Sequence, residues 1–218
     1  MTSIADNLQA IRGRLGEGRR VTLLAVSKSQ PAKLIEQAVA AGQKAFGENY
    51  VQEAIEKMSA LPPQEWHLIG PLQSNKTRVV AERFDWVQTV ASEKIARRLS
   101  EQRPASLAPL NVLIQVNVSA ESTKSGVAAG EVASLAQSMK GLKGIRLRGL
   151  MAIPEPGADR SRYAEVRKLF EQLKDEFALD TLSLGMSDDM DVAIAEGATI
   201  VRIGTAIFGQ RKKQKDAA

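Results

Sequence analysis

From Val21 towards the C-terminus the chain repeats one unit: a short apolar run, a turn, and a longer amphipathic stretch. The runs are VTLLAVS from Val21, KAFG from Lys44, WHLIG from Trp66, DWVQTV from Asp85, NVLIQVNV from Asn111, IRLRGLMAI from Ile145, TLSLG from Thr181 and TIVRIG from Thr199. Several are apolar at odd and even positions alike, the pattern of parallel strands that helices cover. Between them Pro31–Ala41, Tyr50–Ala60, Ser92–Gln102, Gly130–Lys140 and Arg160–Phe177 carry helical periodicity. Eight strands alternating with helices predict a (β/α)₈ TIM barrel. An open doubly wound sheet has the same alternation, and the strand count alone does not separate the two.

One helix falls outside the repeat. Ser3 and Asp6 are spaced as a capping box, Ile4, Leu8, Ile11 and Leu15 form one stripe, and Gly16 and Gly18 end it. The expected fold is therefore an α/β barrel with an extra N-terminal helix. The 218 residues suit one domain, and no sequence repeat or linker divides 1–218. Pro154-Glu155-Pro156-Gly157 follows the sixth strand and reads as a βα loop, not a boundary.

Composition narrows the chemistry. The chain has no cysteine and one histidine, which excludes disulfides and thiolate sites and argues against any transition-metal centre. The formal charge is +5, but Arg211 to Ala218 carry a net +3, so the body is weakly basic and the end reads as a solvated, flexible tail over 212–218. The tail segment RKKQK is the only feature that would support a nucleic-acid module. The N-terminal MTSIADNLQA has no apolar core of a secretory signal, and no apolar run approaches the ~20 residues of a membrane helix. The expectation is a soluble cytoplasmic protein.

In a barrel, the loops after the strands form the active face. That rule selects Ser27 and Lys28, Glu48 and Asn49, residues 70–76, residues 122–126, Met151, Gly185-Met186-Ser187, and Gly204-Thr205. A lysine ending an apolar strand can hold its amine unprotonated and form imines. Taken alone, a surface lysine with its amine in solvent is the commoner case. Ser187 with Gly204 and Thr205 would place hydroxyls and small-residue N–H groups at the seventh and eighth loops, where barrels often bind phosphate. Arg202 shares a strand face with Ile200, opposite Val201 and Ile203, so its charge must be paired or face a ligand. His67 reads as a satisfied core residue.

The blocks LLAVSKSQP at 23–31, FGENYVQE at 46–53, WHLIGPLQSNK at 66–76, SGV at 125–127, RLRGLMAIP at 146–154, LSLGMSDDMDVAI at 182–194 and VRIGTAIFG at 201–209 resemble, in order, those of the pyridoxal-phosphate homeostasis proteins, relatives of the alanine racemase barrel domain. The resemblance implies a pyridoxal 5′-phosphate (PLP) imine on Lys28 and phosphate contacts at Ser187, Gly204 and Thr205. It implies Arg202 facing the pyridine nitrogen, with Asn49 and Met151 lining the cofactor. The segment from Leu15 to Arg20 is short against the family pattern. The implied role is a monomeric, non-enzymatic carrier in PLP and amino-acid homeostasis, with apo PLP enzymes as partners. No catalytic residue is assigned. Lys76 and Lys124 are candidates for transient imines. The competing expectation is a PLP-dependent amino-acid racemase, which needs a second base opposite Lys28.

Overall fold

The computed structural model describes residues 2–16, 21–119 and 125–210. The expectations for Lys124 and for the basic tail from Arg211 onward lie outside these. Helix α1 (Ile4–Leu15) starts at the capping box, with the Asp6 N–H donating to Ser3 Oγ at 3.1 Å and the Ser3 N–H to Asp6 Oδ2 at 3.0 Å. It stops at Gly16, whose φ of 80° suits a residue without Cβ. It buries Ile4, Leu8, Ile11 and Leu15.

The repeat then runs as β1 (Thr22–Val26), α2 (Ala32–Ala40), β2 (Ala45–Glu48), α3 (Val51–Ala60), β3 (Glu65–Leu68), α4 (Thr77–Arg83), β4 (Trp86–Val90) and α5 (Glu93–Gln102). It continues as β5 (Leu110–Asn117), β6 (Val127–Ala128), α6 (Val132–Met139), β7 (Ile145–Ala152), α7 (Arg160–Phe177), β8 (Thr181–Ser183), α8 (Met190–Ala195), β9 (Ile200–Ile203) and α9 (Thr205–Phe208). All strand pairings are parallel, in the order β4-β3-β2-β1-β9-β8-β7-β5, and β4 also pairs β5. That last pairing closes the ring and decides for the barrel over the open sheet. The two-residue β6 lies outside the ring, paired to β5. It is too short to leave an apolar run.

Two layers of core result. The larger lies between strands and helices and includes Phe46, Trp66, Val87, Val112, Val201 and Ile203. The smaller fills the lumen as Leu24–Ala45–Ile200 and Trp86–Leu113–Met151. The register explains the split: Leu24 pairs with Arg202, His67 with Trp86 and Met151 with Ser183, which puts all six on the inner face. Arg202 and Ile200 thus point inward, with Val201 and Ile203 outward, as their alternation predicts.

Barrel closure needs one irregularity in β7. Val112 pairs with Leu147 but Leu113 with Gly149, so Arg148 is an extra residue. Its guanidinium lies 4.9 Å from the centroid of Trp86 and donates to Asp180 Oδ1 and to Asn111 Oδ1, each at 2.8 Å. Beside the bulge, a Cβ on Gly149 would overlap the Thr181 carbonyl oxygen of β8. Only glycine lets the strands close there. Gly149→Ala should cost about 1–3 kcal/mol in urea unfolding, whereas Gly141→Ala, where a Cβ meets nothing within 4 Å but φ is 85°, should cost about 1 kcal/mol.

The lumen also holds polar side chains. His67 is fully buried, its ring stacked on Trp86 with centroids 5.1 Å apart and an interplanar angle of 6°. Burial pushes its pKa below the ordinary 6.5, with the hydrogen bond to Glu65 opposing. The folded ring therefore stays neutral at pH values where the unfolded ring takes a proton. Below about pH 6.5 the unfolded state binds more protons, so stability falls on acidification, by up to about 1.4 kcal/mol per pH unit. Burial raises Glu48 and Asp85, which acts in the opposite sense. Urea midpoints of wild type and His67→Gln between about pH 7 and about pH 5 isolate the histidine. The wild type should lose more stability than the variant; parallel curves would remove His67 as the cause.

Candidate functional site

The C-terminal ends of β1, β2, β3, β7, β8 and β9 surround a cavity of about 480 Å³, lined by Lys28, Asn49, Met186, Ser187, Arg202 and Thr205, with Val26, Ile69, Ile153, Asp188, Gly204 and Ala206. Six of the seven residues singled out in the sequence meet here. The exception is Met151, which is fully buried in the lumen against Trp86 and Leu113 and is not part of the cavity wall. It supports the wall from below. Lys76 is exposed on a short 3₁₀ turn, Ser74–Lys76, and does not line the cavity.

Lys28 sits in a tight turn between β1 and α2. The Gln30 N–H closes it onto the Ser27 carbonyl at 3.0 Å, and Ser29 takes φ 58°, an unusual conformation for a residue with a Cβ. What holds Ser29 there is Glu53 of α3, whose Oε1 accepts its N–H at 2.6 Å. The same oxygen accepts from Lys57 Nζ at 2.6 Å. Lys57 is buried beneath the turn and donates also to the Ser27 carbonyl and to Glu48 Oε1, each at 2.7 Å. Ser27 Oγ donates to that Glu48 oxygen at 2.6 Å. Burial pushes Glu48 above the usual carboxylate range despite Lys57 and Ser27, consistent with its Oε2 lacking any hydrogen-bond partner. Lys57 reads on sequence as an ordinary surface-helix lysine, so its role becomes visible only once α3 is docked.

Asn49 is positioned by a backbone contact. A Cβ on Gly70, after β3, would overlap the Asn49 carbonyl oxygen, so the two loops touch main chain to main chain. On the opposite wall, Asp189 braces the loop after β8. Its Oδ1 accepts the Met186 N–H and its Oδ2 the Tyr163 hydroxyl of α7, each at 2.5 Å. Burial, with that partnership, pushes the Tyr163 phenol well up. Asp189 and Tyr163 are supporting residues that only the tertiary structure reveals.

The bonds of α9 begin with Ile207 and Phe208 donating to the Gly204 carbonyl at 2.9 and 3.0 Å. The first-turn N–H groups of Thr205 and Ala206, both at the cavity wall, therefore have no intrahelical acceptor. With the Ser187 and Thr205 hydroxyls they form a donor-rich corner suited to a phosphate. Arg202 supplies the far side at 4% exposure, donating from Nη1 to Ser183 Oγ at 2.7 Å and from Nη2 to the Ala152 carbonyl at 2.9 Å. Burial pushes its pKa down to about 10, with Asp189 opposing, so it stays charged at neutral pH. A second hollow of about 310 Å³, lined among others by Thr89, Gln115, Asn117 and Glu155, shares Asn49, Ile69 and Ile153 with the first.

The alanine racemase N-terminal domain model matches residues 1–212. The pyridoxal phosphate homeostasis protein of Pseudomonas aeruginosa is 54% identical over 97% of both chains, and that of Escherichia coli 51% identical over 99% of this chain and all of its own. Among solved structures, PipY of Synechococcus elongatus is 38% identical over 95% of this chain, with a TM-score of 0.88 without PLP and 0.83 with PLP bound. Alanine racemase of Clostridium difficile, at 15% identity and a TM-score of 0.80, shares the barrel, which spans 58% of that longer chain. By these matches along nearly its full length, the chain belongs to the pyridoxal phosphate homeostasis proteins of the alanine racemase N-terminal domain family.

Proposed function

We propose that this protein binds PLP on Lys28 and holds it for exchange within the cell's PLP and amino-acid pools, without catalysing an amino-acid reaction of its own. The observation that carries this reading is the meeting, in one cavity, of Lys28, the Ser187–Gly204–Thr205 corner, Arg202 and Asn49. The PLP-bound state of PipY, 38% identical, supports it. Bound PLP would supply an aldehyde that condenses reversibly with an amine, losing water.

The chain's own groups fit that ligand. The Thr205 and Ala206 N–H groups and the Ser187 and Thr205 hydroxyls would receive the phosphate, and Arg202 would face the ring nitrogen. A guanidinium there disfavours protonation of that nitrogen, whereas PLP enzymes that stabilise carbanions commonly place a carboxylate against it. Among the described residues lining the cavity, the ionisable ones are Lys28, Asp188 and Arg202. Asp188 adjoins the phosphate corner, and Tyr163 is engaged by Asp189. The guanidinium alone does not separate the two readings; the lack of a second base opposite Lys28 among these described residues favours carrying over racemisation. Release to apo PLP enzymes from a monomeric carrier is part of the same proposal.

Wild-type protein mixed with PLP should develop a visible absorption band that borohydride discharges, leaving PLP fixed to Lys28. Lys28→Ala should show no such band. A band of equal strength in the variant would move the anchor elsewhere, and sustained racemisation of any amino acid would replace the carrier by an enzyme. Lys57→Met tests the support beneath the turn. It strands the buried Glu48 and should cost about 3 kcal/mol in urea unfolding. Where still folded, the variant should form the PLP band more slowly than wild type; equal rates would show that the Lys57 cluster stabilises the fold without presenting Lys28.

A further inference from the structure

Arg202 bonds a hydroxyl and a carbonyl, those of Ser183 and Ala152, and through the first it begins a chain of hydrogen bonds that ends on a carboxylate. Gln88 of β4 and Ser183 of β8 lie on strands that are not neighbours in the ring. Their 2.7 Å bond, Ser183 Oγ to Gln88 Oε1, therefore crosses the lumen. Gln88 Nε2 lies 2.8 Å from His67 Nδ1, and His67 Nε2 lies 2.7 Å from Glu65 Oε1. Glu65 is at the opposite mouth, its side chain 47% exposed, while His67, Gln88 and Ser183 are fully buried.

Each proton in this chain is fixed by its neighbour. A guanidinium only donates, so Ser183 Oγ accepts from Arg202, and its own proton goes to the Gln88 carbonyl. The Gln88 amide nitrogen then faces Nδ1, and because it too only donates, Nδ1 must carry the lone pair. The imidazole proton sits on Nε2 and points at the Glu65 carboxylate. All four bonds run one way, from the guanidinium at one mouth to the carboxylate at the other. Rotating the Gln88 amide by half a turn would leave the Ser183 proton without its acceptor. It would also demand a proton on Nδ1, and the Nε2 lone pair would then face Glu65 unless the ring were charged, which burial opposes. Two discrete arrangements exist, and the buried environment selects one.

We propose that Glu65, His67 and Gln88 are positioning residues for the cofactor mouth: through Ser183 they set the direction and strength of the hydrogen bonds made by Arg202. The ligand side of this inference rests on the reading of the cavity as a PLP site; the coupling between the two mouths does not. The opposing groups are few. Asp85 lies near His67 and Glu65, and Arg148 near Glu65.

The chain's one histidine makes the test direct, because ¹⁵N-histidine labelling reports on His67 alone. In the full-length protein without PLP, Nε2 should be protonated and Nδ1 unprotonated. Loading with PLP, verified by the visible band, should move the Nδ1 resonance. Ser183→Ala should abolish that response and Ser183→Thr, which keeps the hydroxyl, should restore it. Glu65→Gln, at the half-exposed far end, should weaken PLP binding by roughly two- to thirtyfold. A protonated Nδ1, or a His67 spectrum unmoved in a sample whose band proves loading, overturns the proposal. If no band forms in wild type, the PLP reading fails by itself. The coupling is then decided without PLP by Arg202→Lys: a displaced Nδ1 resonance upholds it, and an unmoved one rejects it.

Discussion

A guanidinium at 4% exposure in the lumen of a closed barrel is the constraint from which most of the site follows. A charge there cannot be solvated, and the nearest ring of atoms is strand backbone already committed to the ladders. The protein meets the cost with side-chain and spare carbonyl acceptors, Ser183 Oγ and the Ala152 oxygen. Ser183 is in turn held by Gln88, and Gln88 by His67 and Glu65, in a lumen whose apolar filling is Leu24, Ala45, Ile200, Trp86, Leu113 and Met151. The buried cation at one mouth is thus joined by hydrogen bonds to a carboxylate at the other.

Lys57 presents the same problem solved locally. It too is a buried cation, but it has a carboxylate on either side, Glu53 and Glu48, and a carbonyl above. Such a cluster adds little net stability over a well-packed apolar one, because desolvation consumes most of the attraction. Its value is geometric. One Glu53 oxygen joins Lys57 to the Ser29 N–H, so the turn that carries Lys28 is tied to α3 and stays in a conformation it would not adopt unaided.

The sequence disclosed whatever depends on period. Strand starts to within one residue, the Ser3–Asp6 box, the helix Arg160–Phe177 and the face that Arg202 shares with Ile200 all follow from spacing along the chain, and each is present in the structure. What it concealed depends on a distant partner. Arg148 looks like any residue in IRLRGLMAI until the register of β7 against β5 shows it extruded. Asp189 stands at the start of α8, and its second role, as the brace between Met186 and Tyr163, shows only in the structure. Lys57 follows the pattern of an exposed helical position, and Gln88 is merely a polar residue inside a strand. Met151 shows the reverse: it lies near the end of β7 as expected, but its side chain turns into the lumen instead of the cavity.

These two supports differ in kind, and the difference bears on holding and releasing a ligand. The Arg202 side of the cavity is built on strands, and its guanidinium is bonded through Ser183 to Gln88 across the lumen. The Lys28 and Ser187 side is built on turns, each braced by a half-buried carboxylate: Glu53 for the first, Asp189 for the second. Loops of this kind open at lower free energy than the barrel wall. On the proposed reading, an arriving amine would meet Lys28 on the yielding side, while Arg202 would face the ring from the rigid one. That asymmetry suits the proposed exchange of an amine at Lys28.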